Sequence, residues 1–78
     1  MKSLIPSIEL RVFCPELTTD EIALLEWLAT GRTNAQIGQC VARSEKTVRN
    51  QLTRVYAKLG VANRVQAVAL YLRVRQRS

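Results

Sequence analysis

A chain of 78 residues, 47% apolar and 23% charged, has room for one small globular domain. Lys and Arg outnumber Asp and Glu by twelve to six, and the absence of histidine excludes Ser-His-Asp and Cys-His catalysis and histidine metal sites. Cys14 and Cys40 lack the C-x-x-C spacing of a zinc site, and no apolar run approaches the ~20 residues that span a bilayer. We therefore expect a basic, cytoplasmic domain that is not an enzyme, binds no metal or cofactor and does not enter a membrane.

Residues 1–16 differ in pattern from the rest of the chain. Ile8, Leu10 and Val12 alternate with charged residues, which is the period of a half-buried strand. We predict an N-terminal extended arm here. Three arrangements are open: an arm ordered on the rest of the domain, a strand paired with a second copy of the chain, or a frayed terminus.

Residues 17–78 have the pattern of an all-α domain. Helical spacing of apolar residues, together with start and stop signals, predicts four helices, at about residues 19–30, 34–42, 45–59 and 64–75. Polar residues at cap spacing mark the four starts: Thr18 with Glu21, Thr33 with Gln36, Ser44, and Asn63 with Gln66. In this arrangement we expect Cys40 to be buried, Cys14 to be exposed, and Ile22 to give the first helix an exposed apolar flank.

The charge is divided unevenly along the chain. Residues 1–31 carry two basic and five acidic residues, a net charge of −3, whereas residues 32–78 carry ten basic residues against the single Glu45, a net charge of +9. A basic half of this density is typical of proteins that bind phosphate backbones. A solvated basic surface is the alternative at this point.

The third predicted helix has one apolar and one basic side. Its apolar residues recur at helical period from Val48 to Leu59, which leaves Arg49, Asn50 and Thr53 on the opposite face. Arg can form a bidentate contact with guanine, Asn can pair with adenine, and Thr offers a hydroxyl or a methyl group. A short helix and a tight turn precede this helix, so we predict a helix-turn-helix in which these three residues contact DNA bases.

Several sequence motifs carry a resemblance to a known family. From Leu17 to Val68 the chain resembles the LuxR/GerE-type helix-turn-helix of bacterial transcription regulators. The matching motifs are L-T-T-D-E at 17–21, A-T-G-R-T-N at 29–34, S-E-K-T-V-R-N at 44–50, K-L-G-V at 58–61 and R-V-Q-A-V at 64–68. The resemblance implies a four-helix domain that binds DNA as a dimer.

The expected contacts to the DNA backbone come from three sources. The resemblance implies backbone contacts at Thr33, Asn34, Lys46, Thr47 and Arg54. The flanking charge of Lys58 and the free amides at Ser44 add two more. Arg43 occupies a turn position that is aliphatic in the family pattern, so it either disturbs the turn or adds a phosphate contact.

The last predicted helix is apolar on most of its sides, whereas a surface helix needs one apolar stripe. The resemblance also implies a dimer contact there. We predict a homodimer interface at Val65, Val68, Ala69 and Leu72.

These observations predict a sequence-specific transcription regulator that binds double-stranded DNA as a homodimer, with the third helix in the major groove. RNA polymerase or a larger regulator is a further expected partner. The alternative is a stand-alone helix-turn-helix module that pairs with a larger regulator and modulates it, because no sensing domain accompanies the motif.

Overall fold

The computed structural model describes residues 13–76, and within this range the chain is folded into α-helices without a strand. The helices are α1 (Thr19–Ala29), α2 (Asn34–Val41), α3 (Glu45–Leu59) and α4 (Arg64–Gln76). The prediction of an all-α domain with four helices is therefore confirmed. The predicted strand at residues 8–12 lies outside the described residues, and the boundary between arm and domain at residue 16 stays a prediction.

Side-chain caps begin the helices as the sequence predicts. The Thr18 hydroxyl accepts from the Glu21 amide at 3.1 Å, and the Glu21 carboxylate accepts from the Thr18 amide at 2.9 Å. Thr33 and Gln36 form the same reciprocal pair at the start of α2. These bonds satisfy backbone amides that have no partner within their own helix, so they fix where each helix begins.

Left-handed residues end two of the helices. Gly60 (φ 73°) ends α3, and Ala42 (φ 58°) ends α2. Glycine adopts this conformation without strain, whereas an alanine lies there at a cost. Ala42 and Thr30, which we predicted as the last residues of their helices, are C-caps instead.

The core forms where α1 meets the other three helices. Leu25 and Leu28 of α1, Ile37 of α2, and Val48 and Val55 of α3 are completely or almost completely buried. α1 packs against all three other helices, and α2 packs most extensively against α3. For α2, α3 and α4, the face that packs against α1 is buried, and the opposite face is therefore exposed to solvent.

Three sequence-based expectations about burial are wrong. Ile22 is 3% exposed and lies in the core, so the expected apolar flank of α1 is absent at this position. Cys14 is buried because its thiol packs against the C-terminal end of α3, where Sγ lies 3.6 Å from the carbonyl oxygen of Lys58. Cys40 is exposed, because α2 turns Ile37 and Gly38 toward the core and leaves Cys40 outside.

Candidate nucleic-acid interface

In the turn between α2 and α3, the backbone of Gly38 lies close to the backbone of Arg43. The amide of Arg43 donates to the carbonyl oxygen of Gly38 at 2.8 Å. A Cβ added at Gly38 would lie 2.5 Å from the carbonyl oxygen of Arg43, closer than real Cβ atoms come. Only glycine fits at residue 38 with this turn, which joins α2 to α3 in a helix-turn-helix arrangement.

The two sides of α3 differ sharply in burial. Val48 and Val55 are fully buried against the other helices. The opposite face presents four exposed residues, Arg49, Asn50, Thr53 and Arg54. The first three are the residues that we predicted to contact bases. We call these four the outer strip of α3. It is a convex polar surface on a helix whose other side is core, as entry into a major groove requires.

Within the outer strip, Thr53 has a defined orientation. Its hydroxyl donates to the carbonyl oxygen of Arg49 at 3.0 Å, one helical turn earlier. The hydroxyl proton is therefore occupied, and the oxygen lone pairs and the methyl group remain for an external partner. With its hydroxyl held in this way, Thr53 offers an acceptor or an apolar contact to a base.

Cations without a carboxylate partner among the described residues lie within the outer strip and beside it. Arg43 in the turn and Lys46 in the first turn of α3 are exposed, as is Arg54. None of the three forms an ion pair with a carboxylate within residues 13–76. Unpaired cations around a polar strip are suited to neutralising phosphates along a groove.

The hydroxyl groups predicted to contact the backbone are used within the chain. Ser44 Oγ accepts from the amide of Thr47 at 3.1 Å and donates to Thr47 Oγ1 at 2.9 Å. Thr33 accepts from the amide of Gln36 at 3.2 Å, and Asn34 follows it, half-buried. Thr33 and Ser44 thus cap the N-termini of α2 and α3, where free backbone amides and the helix dipole favour an anion.

Lys58 lies apart from the strip, and this differs from the prediction of a phosphate contact. Its ammonium donates to Glu21 Oε1 at 2.7 Å, to Glu21 Oε2 at 3.0 Å and to the carbonyl oxygen of Glu16 at 3.0 Å. An ammonium has three N–H donors, and all three have acceptors here. Lys58 therefore joins the end of α3 to the start of α1, which is a structural role.

Two faces of α4 are separated in the structure. Ala67, Tyr71 and Val74 are buried against the domain. The residues predicted at a dimer interface form another stripe at helical spacing, which we call the α4 stripe: Val65, Val68, Ala69 and Leu72. Val65 is 76% exposed and Leu72 41%, although both are large and apolar, and Val68 is half-buried. The stripe is suited to a second apolar surface.

Sequence reasoning missed two arginines that organise the start of the motif. The Arg64 guanidinium donates to the carbonyl oxygen of Leu28, in the last turn of α1, and to that of Arg32, in the connection to α2. Arg32 lies over the ring of Trp27. A signal for Arg64 was present in the sequence: a cation in the first turn of a helix opposes the helix dipole and needs another partner.

The described residues contain no group of three or more cysteine or acidic side chains able to hold a metal ion. Among the same residues, no helix has the length and apolar character to cross a bilayer.

The pKa of the Glu21 carboxyl group is lowered from its ordinary value. Burial opposes this shift, but the hydrogen bonds from Lys58 and from the Thr18 amide, together with the charge of Lys58, outweigh it.

Comparison with known proteins identifies the family. Residues 15–71 match the family described as bacterial regulatory proteins, luxR family. The chain belongs to the LuxR family. This confirms the resemblance seen in the sequence motifs. No solved structure matches the chain.

Individual regulatory proteins also match this chain. The chain is 47% identical over 58 residues to the probable transcriptional regulatory protein SgaR of Hyphomicrobium methylovorum, and 47% identical over 51 residues to the DNA-binding transcriptional activator DevR/DosR of Mycobacterium tuberculosis. These matches cover 74% and 65% of this chain but only 28% and 24% of the relatives. The spore germination protein GerE of Bacillus subtilis is 42% identical over 60 residues, which are 77% of this chain and 81% of GerE.

Proposed function

We propose that this chain binds double-stranded DNA in a sequence-specific way and regulates transcription, with α3 in the major groove. The observation that carries the proposal is the outer strip of α3, which is polar and exposed on a helix whose opposite side is core. Membership of the LuxR family and the name of the relative DevR/DosR, a DNA-binding transcriptional activator, support the same function. We assign the base contacts to Arg49, Asn50 and Thr53.

The contacts that hold the DNA backbone are a separate part of the proposal. We assign them to the unpaired cations Arg43, Lys46 and Arg54 and to the N-terminal turns of α2 and α3, which contain Thr33, Asn34, Ser44 and Thr47. These groups carry no sequence information, but they fix the register of α3 on the duplex. Lys58 is not included, since its three donors are used within the chain.

We infer that two copies act together through the α4 stripe. Val65 and Leu72 expose apolar surface that a second copy would cover, and a symmetric pair buries the same patch on both subunits. Two copies would set their α3 helices about one helical turn apart on a roughly palindromic site. Such a regulator acts in the cytoplasm, where bacterial DNA lies, and RNA polymerase or a larger regulator is its proposed further partner.

A binding selection on random duplex DNA at near-physiological salt tests the proposal. We expect a palindromic consensus from the wild-type chain. Arg49→Ala should lose about 1–3 kcal/mol of binding free energy and relax the preference at one base pair per half-site. Arg73→Ala, which removes the same charge from an exposed position on α4, is the matched control and should retain the consensus.

The contrary result is salt-sensitive binding without a consensus, or no binding. It would reject sequence-specific recognition by α3 and favour the alternative function, a helix-turn-helix module that acts by pairing with a larger regulator.

A further inference from the structure

Arg32, in the connection between α1 and α2, is held in place from several sides. Its guanidinium carbon lies 4.8 Å from the centre of the Trp27 ring, and Nη1 donates to Thr30 Oγ1 at 2.8 Å. Its carbonyl oxygen accepts from the guanidinium of Arg64. Both the main chain and the side chain of Arg32 are therefore ordered by neighbours.

The donors of this guanidinium are mostly unused. Of the five N–H groups of an arginine, one has an acceptor in Thr30. No carboxylate pairs with Arg32 within residues 13–76. Stacking on an aromatic ring accounts for the orientation of the group but leaves its charge without a counter-ion.

Arg32 lies at a position in the helix-turn-helix motif from which its charge could contact DNA. Arg32 directly precedes Thr33, the N-cap of α2, and the first helix of a helix-turn-helix crosses the DNA backbone when the second enters the groove. We propose that Arg32 is a further phosphate contact, a guanidinium that Trp27 and Thr30 hold ready beside the N-terminus of α2. This inference rests on the proposed DNA binding.

The chemistry of arginine fits this role. A planar guanidinium can donate two parallel hydrogen bonds to a phosphate, which an ammonium cannot do. A side chain that is already stacked and hydrogen-bonded loses little conformational freedom on binding. The contact strengthens binding to every sequence alike, because phosphates carry no base identity.

Salt-dependent titration of the selected DNA site tests the proposal. Arg32→Ala should weaken binding about ten-fold at near-physiological salt and reduce the salt slope by about 0.9 per bound subunit, with the consensus unchanged. Arg32→Lys keeps the charge and should keep the slope while losing part of the affinity. Arg73→Ala is the control for charge alone, since Arg73 is exposed on α4, which makes no packing contact with α2.

Trp27 provides a second measurement, because it is the one tryptophan in the chain. Iodide should quench the fluorescence of Trp27 less when the wild-type chain is bound to DNA. Thermal unfolding of each variant separates a binding effect from a folding effect. The phosphate contact is rejected if a folded Arg32→Ala variant has the affinity and salt slope of the wild type and if iodide quenching of the wild type is unchanged on DNA binding. In that case a consensus recovered with the wild-type chain would still support the proposed function. If the wild type binds no DNA, both proposals are rejected.

Discussion

The ammonium nitrogen of Lys58 lies 2.7 Å from Oε1 of Glu21, and the same carboxylate completes the capping box at the start of α1. One buried acid thus serves two elements, since it begins α1 and anchors the last turn of α3. Glu21 has 11% of its side chain exposed and Lys58 has 31%. Because the pair is partly shielded from water, we expect its loss to lower the free energy of unfolding by a measurable amount.

The first prediction concerns Lys58. Lys58→Ala should lower the free energy of unfolding by about 1–2 kcal/mol, in the lower part of the range for charged hydrogen bonds because the ammonium is partly exposed. Urea denaturation measures this change. The exposed and unpaired Lys46 is the matched position, and Lys46→Ala should stay within about 0.5 kcal/mol of the wild type. Equal effects of the two substitutions would contradict the structural role of Lys58.

The second prediction concerns acid. Because the folded-state pKa of Glu21 lies below its ordinary value of 4.5, the ionised group contributes stability that is present above about pH 4.5 and is lost as the pH falls through the folded-state pKa. The urea concentration at the unfolding midpoint should therefore decrease as the pH is lowered from 6 to 3. Glu21→Gln should be less stable at pH 6 and lose less on acidification. Parallel pH curves for the two chains would rule out this contribution.

The third prediction concerns Gly38. Gly38→Ala places a methyl group against the carbonyl oxygen of Arg43, a backbone atom that cannot rotate away, so we expect about 1–3 kcal/mol of destabilisation. Ala42→Gly is the control in the same turn. It relieves a left-handed alanine and should be neutral or stabilising by up to about 1 kcal/mol. Thermal unfolding compares the two. A Gly38→Ala chain as stable as the wild type would contradict the close approach.

The fourth prediction concerns the α4 stripe. Leu72→Asp introduces a charge where we propose that two copies meet, so sedimentation should show a monomer and DNA affinity should fall steeply. Leu72→Met keeps an apolar side chain of similar volume and should remain a dimer. A wild-type chain that is monomeric at high micromolar concentration, together with undiminished DNA binding by Leu72→Asp, would remove the homodimer from the proposal.

How far the sequence predicted the structure depends on the distance between partners along the chain. The caps at Thr18 and Thr33 join residues three positions apart, and the two sides of α3 follow from its period, so local pattern was sufficient for both. The ion pair between Lys58 and Glu21 was not predicted, because the two residues lie 37 positions apart in the chain. Contacts of this kind depend on how the helices pack, and the spacing of residues within one helix does not contain that information.

The close approach at Gly38 has a consequence for altering the DNA preference that we propose for α3. The close contact and the hydrogen bond between Gly38 and Arg43 involve backbone atoms of the turn, so a substitution on the outer strip of α3 removes neither of them. If Arg49, Asn50 and Thr53 contact bases as we propose, exchanging them in combination with the turn kept as it is should give access to new operators. On the proposed mode of binding, the recognised sequence would then change while the fold is kept.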